Sequence, residues 1–284
     1  MSKRTLHERL IYGLDFTSAP TRQKPITCAG GSFDGEILRI TTFEALTDFD
    51  QFEAVLMRFG PWTAGFDFPF GQPERLIRAL GWGDSWGAYV RRIAGLGKEA
   101  FEAAIAAYRA TRPPGDKHHL RRTDEWAGAK SPMMLHGVPV GKMFFQGAPR
   151  LLAAGVHVAP CHPTGDSRVA VEAYPALVAR KWIGSTGYKS DARPKQTPDH
   201  RLARQSIVDG LRANREHYGF DVALTVSHVA ELVDDPTGDQ LDAVLCAVQA
   251  AWASTQPGYG IPDAANGLEG WIVDPAYMKG SDNA

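Results

Sequence analysis

The 284-residue sequence is poor in cysteine and contains no long apolar run. Its three cysteines, Cys28, Cys161 and Cys246, lack the spacing of a zinc site, and an odd number fits a reducing compartment. No segment approaches the roughly 20 apolar residues that cross a bilayer. The N-terminal MSKRTLHERL lacks the apolar core of a secretory signal. We therefore expect a bacterial-type cytoplasmic protein without a membrane segment.

A predominance of one charge sign is also missing, because the formal net charge is −1. The charges are nevertheless unevenly distributed along the chain. Residues 108–150 carry eight Lys or Arg against three Asp or Glu, and residues 180–215 carry nine against three. Residues 216–284 carry one lysine against eleven acids. This pattern indicates complementary surfaces, a phosphate-binding groove beside carboxylates that hold cations, or simply solvated faces.

The first part of the chain predicts the element order β-β-β-α-β. Residues 9–17 form the first predicted strand, and SFDGE places an Asp-Gly turn between two further β-rich runs, which indicates an antiparallel meander. A helix should follow and end at Gly60-Pro61. The apolar residues at helical spacing are Leu46, Phe49, Phe52, Val55, Leu56 and Phe59. WTAGFDFPF is the fourth predicted strand.

The remaining sequence predicts an insertion followed by further α/β elements. Residues 71–155 mix short helical segments with TRPPGDKHHLRRTDEWAGAKSP, whose Pro, Gly and basic content indicates an exposed loop. Residues 167–174 predict a fifth strand, and two later helices precede EGWIVDP, a terminal strand or extended arm. We expect one domain over residues 1–284, with residues 71–155 as an insertion covering the edge of the sheet that carries the site.

Two aspartates lie within apolar runs, in the repeated pattern Gly-x-Asp-Phe. Asp15 lies near the end of the first strand and Asp67 near the end of the fourth. A buried carboxylate is costly unless a positive charge meets it. If these strands are parallel neighbours, their carboxyl ends share one edge, where ligand sites form. Glu172 ends the fifth strand, and Asp239 and Asp242 share one face of the last clear helix, whose opposite face should pack on the sheet.

Several carboxylates at one sheet edge would repel one another. Two divalent cations about 4 Å apart would neutralise them and orient an attacking water for phosphodiester cleavage. Oxygen-only ligands favour Mg²⁺ or Mn²⁺ over zinc. The pattern therefore predicts that each buried aspartate faces a metal ion rather than the core.

Five motifs in this order resemble the family called domain of unknown function 429. They are GLDFTSAP, GFDFPFGQP, VEAYP, GDQLDAVLCAVQAAWA and EGWIVDP, and they span residues 13–275. That family is itself predicted to be an RNase H-like nuclease. The resemblance implies an α/β fold with an RNase H-like mixed sheet, in which three antiparallel strands precede parallel strands and helices flank the sheet. It also implies a helical or loop insertion after the fourth strand.

The resemblance implies roles for particular residues. The wider superfamily places one aspartate on the first strand, one acid on the fourth, and one or two acids on a late helix. Asp15, Asp67 and Asp242 match these positions as metal ligands and catalytic residues. Asp239 resembles the paired acids of the Holliday-junction resolvase branch, and Glu172 matches the family's Glu-x-Tyr-Pro element. Both are therefore further catalytic candidates.

Each acid also has a structural interpretation. Asp15 could hydrogen bond within the TSAP turn, and Asp67 could cap the turn before PFGQP. Asp239 could be a first-turn acid favoured by the helix dipole. Glu172 could form a structural salt bridge instead. The candidate partners for that salt bridge are Arg121, Arg122 and Lys181.

The basic segments supply the candidate substrate contacts. Residues 117–130 and 189–215 could follow a nucleic-acid backbone, and an aromatic side chain in the first segment could stack on a base. The predicted substrate-binding residues are Lys117, Arg121, Arg122, Trp126 and Lys130. His157, Cys161 and His162 lack a fourth ligand at zinc-site spacing.

These observations favour a metal-dependent phosphodiesterase that acts on nucleic acid and uses water as its nucleophile. The first alternative is a non-catalytic binding module on the same fold, since fold does not fix function. The second is a phosphotransferase or phosphohydrolase acting on a small molecule. No pattern indicates a protein partner.

Overall fold

The computed structural model describes residues 8–280, so the ends of the predicted 1–284 domain lie outside the described residues. The strands are β1 Arg9–Asp15, β2 Ile26–Phe33, β3 Ile37–Leu46, β4 Trp62–Phe66, β5 His157–Ala159, β6 Arg168–Glu172 and β7 Asp221–Ala223. The first six helices are α1 Phe49–Leu56, α2 Glu74–Ala79, α3 Trp86–Leu96, α4 Lys98–Ala110, α5 Arg122–Ala127 and α6 Val140–Ala154. The later helices are α7 Pro175–Ile183, α8 Pro198–Arg212, α9 Arg215–Tyr218, α10 Val226–Asp234, α11 Asp239–Ala253 and α12 Pro275–Gly280.

The strands form one mixed sheet in the order β5-β6-β4-β1-β2-β3-β7. Strands β1, β2 and β3 are antiparallel neighbours, whereas β1, β4, β6 and β5 run parallel to one another and β7 runs parallel to β3. This is an α/β fold consistent with the RNase H-like class. It confirms the predicted order β-β-β-α-β, and the first and fourth strands meet the condition of being parallel neighbours.

Helices cover both faces of the sheet and bury one core on each. Because side chains alternate along a strand, Ile11 of β1 belongs to one core and Leu14 to the other. The first core lies beneath α7, α8, α10 and α11, and the second beneath α1, α2, α3, α4 and α6. Most helices of segment 71–155 therefore pack on the second face. Within residues 8–280, none of the helices combines the length and apolar character that a bilayer crossing requires.

Helix α11 lies directly on the backbone of β1 and β4. Gly13 of β1 pairs in register with Gly65 of β4. A Cβ added to Gly13 would lie closer than 3.0 Å to the backbone of Ala243 and Ala247, and one added to Gly65 would meet the carbonyl of Cys246. The helix is buried on nearly every face, not only on the sheet side as its predicted amphipathic pattern suggested. Two glycines thus set how closely α11 approaches the sheet.

Several predicted boundaries are wrong. Leu46 ends β3 rather than starting a helix, and α1 begins only after Asp48, whose side chain accepts a hydrogen bond from the Gln51 amide at 2.9 Å. Phe59, predicted on the buried helix face, is 96% exposed. The strand predicted at residues 167–174 is β6, the sixth. Strands β5 and β7 were not predicted, because three-residue strands carry too little periodicity to detect.

We predict that Gly13→Ala lowers the free energy of unfolding by about 3 kcal/mol or more, because the added methyl group forces α11 away from β1. The matched control is Gly95→Ala on α3, where an added Cβ meets no atom within 4 Å. That change should leave stability equal or raise it by up to about 1 kcal/mol. Urea unfolding of both variants provides the measurement. Equal stability of the two variants would contradict the proposed packing constraint.

Candidate metal centre

Three elements bring one carboxylate each to the same place. Asp15 is the last residue of β1, and Asp67 directly follows β4, with its amide donating to the Leu14 carbonyl at 3.0 Å. Each aspartate lies two residues beyond its glycine, Gly13 or Gly65. Because strand side chains repeat every two residues, both aspartates lie on the face that α11 covers. The first turn of that helix contributes the third acid, Asp242.

The three carboxylates lie close enough to share a cation. One oxygen each of Asp15, Asp67 and Asp242 lies within 4.8 Å of the other two. Asp15 is 9% exposed and Asp242 is 2% exposed, whereas Asp67 is partly exposed and gives access to the group. Among residues 8–280, these three acids form a group that is compact enough to hold a metal ion.

The three acids differ in their hydrogen-bond partners. The Tyr188 hydroxyl donates to Oδ1 of Asp242 at 2.6 Å, and the Lys189 ammonium pairs with Oδ2. In the described part of the chain, no donor hydrogen bonds to the carboxylate of Asp15 or Asp67. The structural interpretations of these two residues, a bond within the TSAP turn and a cap before PFGQP, are therefore wrong.

Crowding and burial make the ionised acids costly. Burial raises the pKa of Asp15 well above its usual value; Lys189 opposes this rise, and Asp242 and Asp67 add to it. Burial, followed by repulsion from Asp242, raises the pKa of Asp67 to about 7. Burial alone would lower the pKa of Lys189, but Asp242 and Asp15 outweigh it and raise that pKa. The ammonium group of Lys189 thus opposes the rise in pKa of both Asp15 and Asp67.

The donor set fits a hard divalent cation. It consists of carboxylate oxygens alone, and two of the three carboxylates lack a protein partner. Such oxygens are the preferred ligands of this cation class. Asp15, Asp67 and Asp242 could therefore hold a metal ion.

Asp239 lies beside this group but has its own partner. Its Oδ1 lies 3.2 Å from Nζ of Lys24, which also contacts Oδ1 of Asp191 at 2.8 Å. Burial raises the pKa of Asp239, and Lys24 opposes that rise. Asp239 thus belongs to an ion-pair chain at the rim of the site, and its predicted catalytic role stays a prediction.

Glu172 is held in a buried salt bridge instead of facing the three acids. Arg121 donates from Nη1 to Oε2 at 2.8 Å and from Nη2 to Oε1 at 2.6 Å, and the Phe70 amide donates to Oε2 at 2.9 Å. Arg121 also donates to both carboxylate oxygens of Asp124 and to the Glu269 carbonyl. The predicted alternative, a structural pair with Glu172, is the arrangement observed. It joins segment 71–155 to β6 and to the C-terminal arm.

The predicted substrate-binding residues are dispersed. Arg121 is 1% exposed and committed to its two carboxylates, so the exposed loop predicted around it is wrong at this position. Trp126 is half-buried and stacks on Trp271, with ring centroids 6.4 Å apart and planes at 14°. The remaining predicted residues are exposed, and their role stays a prediction. They are Lys117, Arg122 and Lys130.

A cavity of about 440 Å³ opens onto the acids. Lys24 and Lys189 line it beside Asp15 and Asp67, and so do two residues of segment 71–155, Pro139 and Met143. Sequence reasoning missed the roles of Tyr188, Lys189 and Lys24. Lys189 lies in a recognised basic segment, but no spacing links it to an acid 53 residues later.

A family model described as Protein of unknown function (DUF429) matches residues 23–266. The chain therefore belongs to this family. Asp67 and Asp242 lie within the matched range, whereas Asp15 lies just before it. Neither a curated protein nor a solved structure matches the chain.

We predict that Asp67→Asn stabilises the metal-free protein at pH 8. A carboxyl group whose pKa is raised on folding disfavours the folded state once it ionises. This cost is absent below the ordinary value of 3.8, grows as the pH rises, and is complete above about 7. In EDTA, the melting temperature of the variant should exceed that of the wild type by about 2–4 °C at pH 8, and by much less at pH 5.

The control for this prediction is Asp242→Asn. This change removes the charge that pairs with Lys189, so it should lower the melting temperature at pH 8. A destabilised Asp67→Asn at pH 8 would instead show that Asp67 has a structural role.

We predict that Glu172→Gln lowers the free energy of unfolding by about 3 kcal/mol, because Arg121 keeps a buried charge with one partner fewer. The matched control is Glu125→Gln on the exposed side of α5, which should change stability by less than about 0.5 kcal/mol. Urea unfolding gives the stabilities, and calorimetry with Mn²⁺ gives metal binding. A folded Glu172→Gln protein that no longer binds Mn²⁺ would identify Glu172 as a ligand.

Proposed function

We propose that this chain is a metal-dependent phosphodiesterase that cleaves nucleic acid, with Mg²⁺ or Mn²⁺ held by Asp15, Asp67 and Asp242. The observation that carries the proposal is the convergence of three carboxylates from β1, β4 and α11 within 4.8 Å, two of them without a protein partner. Glu172, by contrast, is a buried carboxylate with a hydrogen-bond donor at each of its two oxygens. The proposed enzyme is a hydrolase that uses water as its nucleophile.

A bound divalent cation would neutralise these carboxylates and the substrate phosphate, and would lower the pKa of a water molecule. The chain's own residues prepare the site for this chemistry. The Tyr188 hydroxyl fixes the orientation of Asp242. The ammonium groups of Lys24 and Lys189 line the cavity and attract an anionic substrate. Met143 on α6 forms an apolar part of the wall.

A phosphotransferase of the sugar-kinase type is less well supported. Such an enzyme needs glycine-rich hairpins at its phosphate site, and AGGSFDGE, residues 29–36, is the segment of this sequence that could form one. This segment forms the β2–β3 hairpin, in which Asp34 accepts hydrogen bonds from the Glu36 and Ile37 amides at 2.8 Å. In the β1–β2 register Asp15 pairs with Thr27, so the turn after Phe33 lies at the opposite end of β1. The hairpin therefore lies away from the acids.

We predict that wild-type protein binds Mn²⁺ and hydrolyses bis(p-nitrophenyl) phosphate only when the metal is present. Asp15→Asn and Asp67→Asn should each abolish binding and lower the rate by at least about 100-fold, because the remaining carboxylates cannot hold the ion. Calorimetry and absorbance assays provide the two measurements. The control is Asp263→Asn, an exposed aspartate that does not line the cavity.

EDTA should remove the activity, and added Mn²⁺ should restore it. Substrate phosphate can complete a metal site, so the calorimetry includes a repeat with a short oligonucleotide. Absence of Mn²⁺ and Mg²⁺ binding at millimolar concentration in both experiments would overturn the proposal in favour of a non-catalytic module.

A further inference from the structure

Two additional cavities each share lining residues with the central cavity and none with each other. The first, of about 340 Å³, shares Ser18 and Pro139 with the central cavity. The second, of about 230 Å³, shares Lys189 with it. The three cavities are therefore linked through shared lining residues in a series, called the row below, in which the cavity that contains the acids is the middle member.

The acidic residues that line the row are confined to one of its three cavities. The acids that line the row, Asp15, Asp67 and Asp191, all belong to the central cavity. Among the described residues that line the two flanking cavities, none is acidic. The acids of the row are therefore confined to the position of the proposed metal, where Lys24 and Lys189 accompany them, and neither flanking cavity has an acidic lining residue.

The first flanking cavity presents cationic and aromatic groups. Lys98 and His136 are exposed, and Lys142 is half-buried, with its Nζ 3.6 Å from Oε1 of Glu102. Phe145 adds a half-buried aromatic ring to the same wall and stacks on Phe101, with ring centroids 5.2 Å apart. Basic groups that follow a backbone, together with aromatic rings beside them, are typical of single-strand binding.

The second flanking cavity presents a fixed guanidinium and hydroxyl groups. Arg180 donates to the Ala127 carbonyl at 2.7 Å, which holds its side chain in place without neutralising its charge. Ser185 and Thr186, both exposed, contribute hydroxyl groups to the wall. Hydroxyl groups and arginine are common contacts to phosphate oxygens.

We propose that a single strand of nucleic acid lies along this row, with the phosphate to be cleaved at the acids and its neighbours in the two flanking cavities. This inference rests on the proposed function and adds the form of the substrate. A small phosphoester would need only the central cavity. A strand held on both sides of the reacting phosphate is cleaved internally. The enzyme would therefore not require a free end of the nucleic acid.

The binding test uses wild-type protein in EDTA, which prevents metal-dependent cleavage. The probes are fluorescein-labelled dT12 and U12, with dT2 and a hairpin duplex as comparisons, and anisotropy is measured at several salt concentrations. We expect dT12 or U12 to bind at least about tenfold more tightly than dT2 and the duplex. Comparison of the dT12 and U12 probes shows whether the protein prefers single-stranded DNA or single-stranded RNA.

The variants test each flank. Lys98→Gln with Lys142→Gln should weaken dT12 binding on the order of tenfold and reduce the salt slope by about 1.4, since each phosphate contact on a single strand contributes about 0.7. Ser185→Glu with Thr186→Glu adds charge to exposed positions in the other flank and should weaken binding similarly. The matched control is Arg91→Gln with Arg92→Gln, which removes the same charge from exposed positions of α3 outside the row.

The last measurement is Mn²⁺-dependent cleavage of a covalently closed single-stranded circle, which should become linear. Equal binding of dT12 and dT2, or an equal loss in the control and the Lys98/Lys142 variant, would overturn the inference. If the protein hydrolyses bis(p-nitrophenyl) phosphate but leaves the circle intact, the proposed function stands and the proposed single-stranded substrate is wrong. Loss of both activities with intact, flank-dependent dT12 binding would overturn the proposed function alone.

Discussion

The direct contact between α11 and the backbone of β1 and β4 is the constraint on which the site depends. Gly13 and Gly65 permit this contact, and the aspartates that follow two residues later project to the same side. This explains why Gly-x-Asp-Phe occurs twice in one chain. The glycine admits the helix, and the aspartate meets the acid that the helix carries, so the pattern reflects packing and chemistry together.

The close approach has an electrostatic cost that the fold only partly offsets. Asp242 lies in the first turn of α11, where the helix dipole favours a negative charge, and it also has Tyr188 and Lys189 as partners. Asp15 and Asp67 depend on the general field of Lys189 alone. The arrangement without a metal therefore remains electrostatically incomplete. A cation could complete it, and the ammonium of Lys189 is the charge with which that cation would coexist or compete.

The sequence predicted those parts of the molecule that depend on local pattern. The β-β-β-α-β order follows from alternation and turn residues, and the parallel pairing of the strands that carry Asp15 and Asp67 follows from the fold class. The pairings Glu172–Arg121 and Asp242–Lys189 join residues 51 and 53 positions apart. No periodicity encodes such a distance, so these contacts emerge only when segment 71–155 and the loop after α7 fold onto the sheet.

The basic residues of the middle of the chain fall into two groups in the structure. One group pairs with acids of the protein, and the other forms no ion pair in the described residues. Several middle-segment bases pair with buried acids of the sheet and the acidic tail, including Lys189 with Asp242 and Lys181 with Asp274. These pairs are the complementary surfaces that the sequence left open as one interpretation. Lys98 and Arg180 form no ion pair with an acid in the described residues and border the row of cavities instead. Lys98 and Arg180 therefore remain available to an external anion, unlike the two lysines that the internal pairs engage.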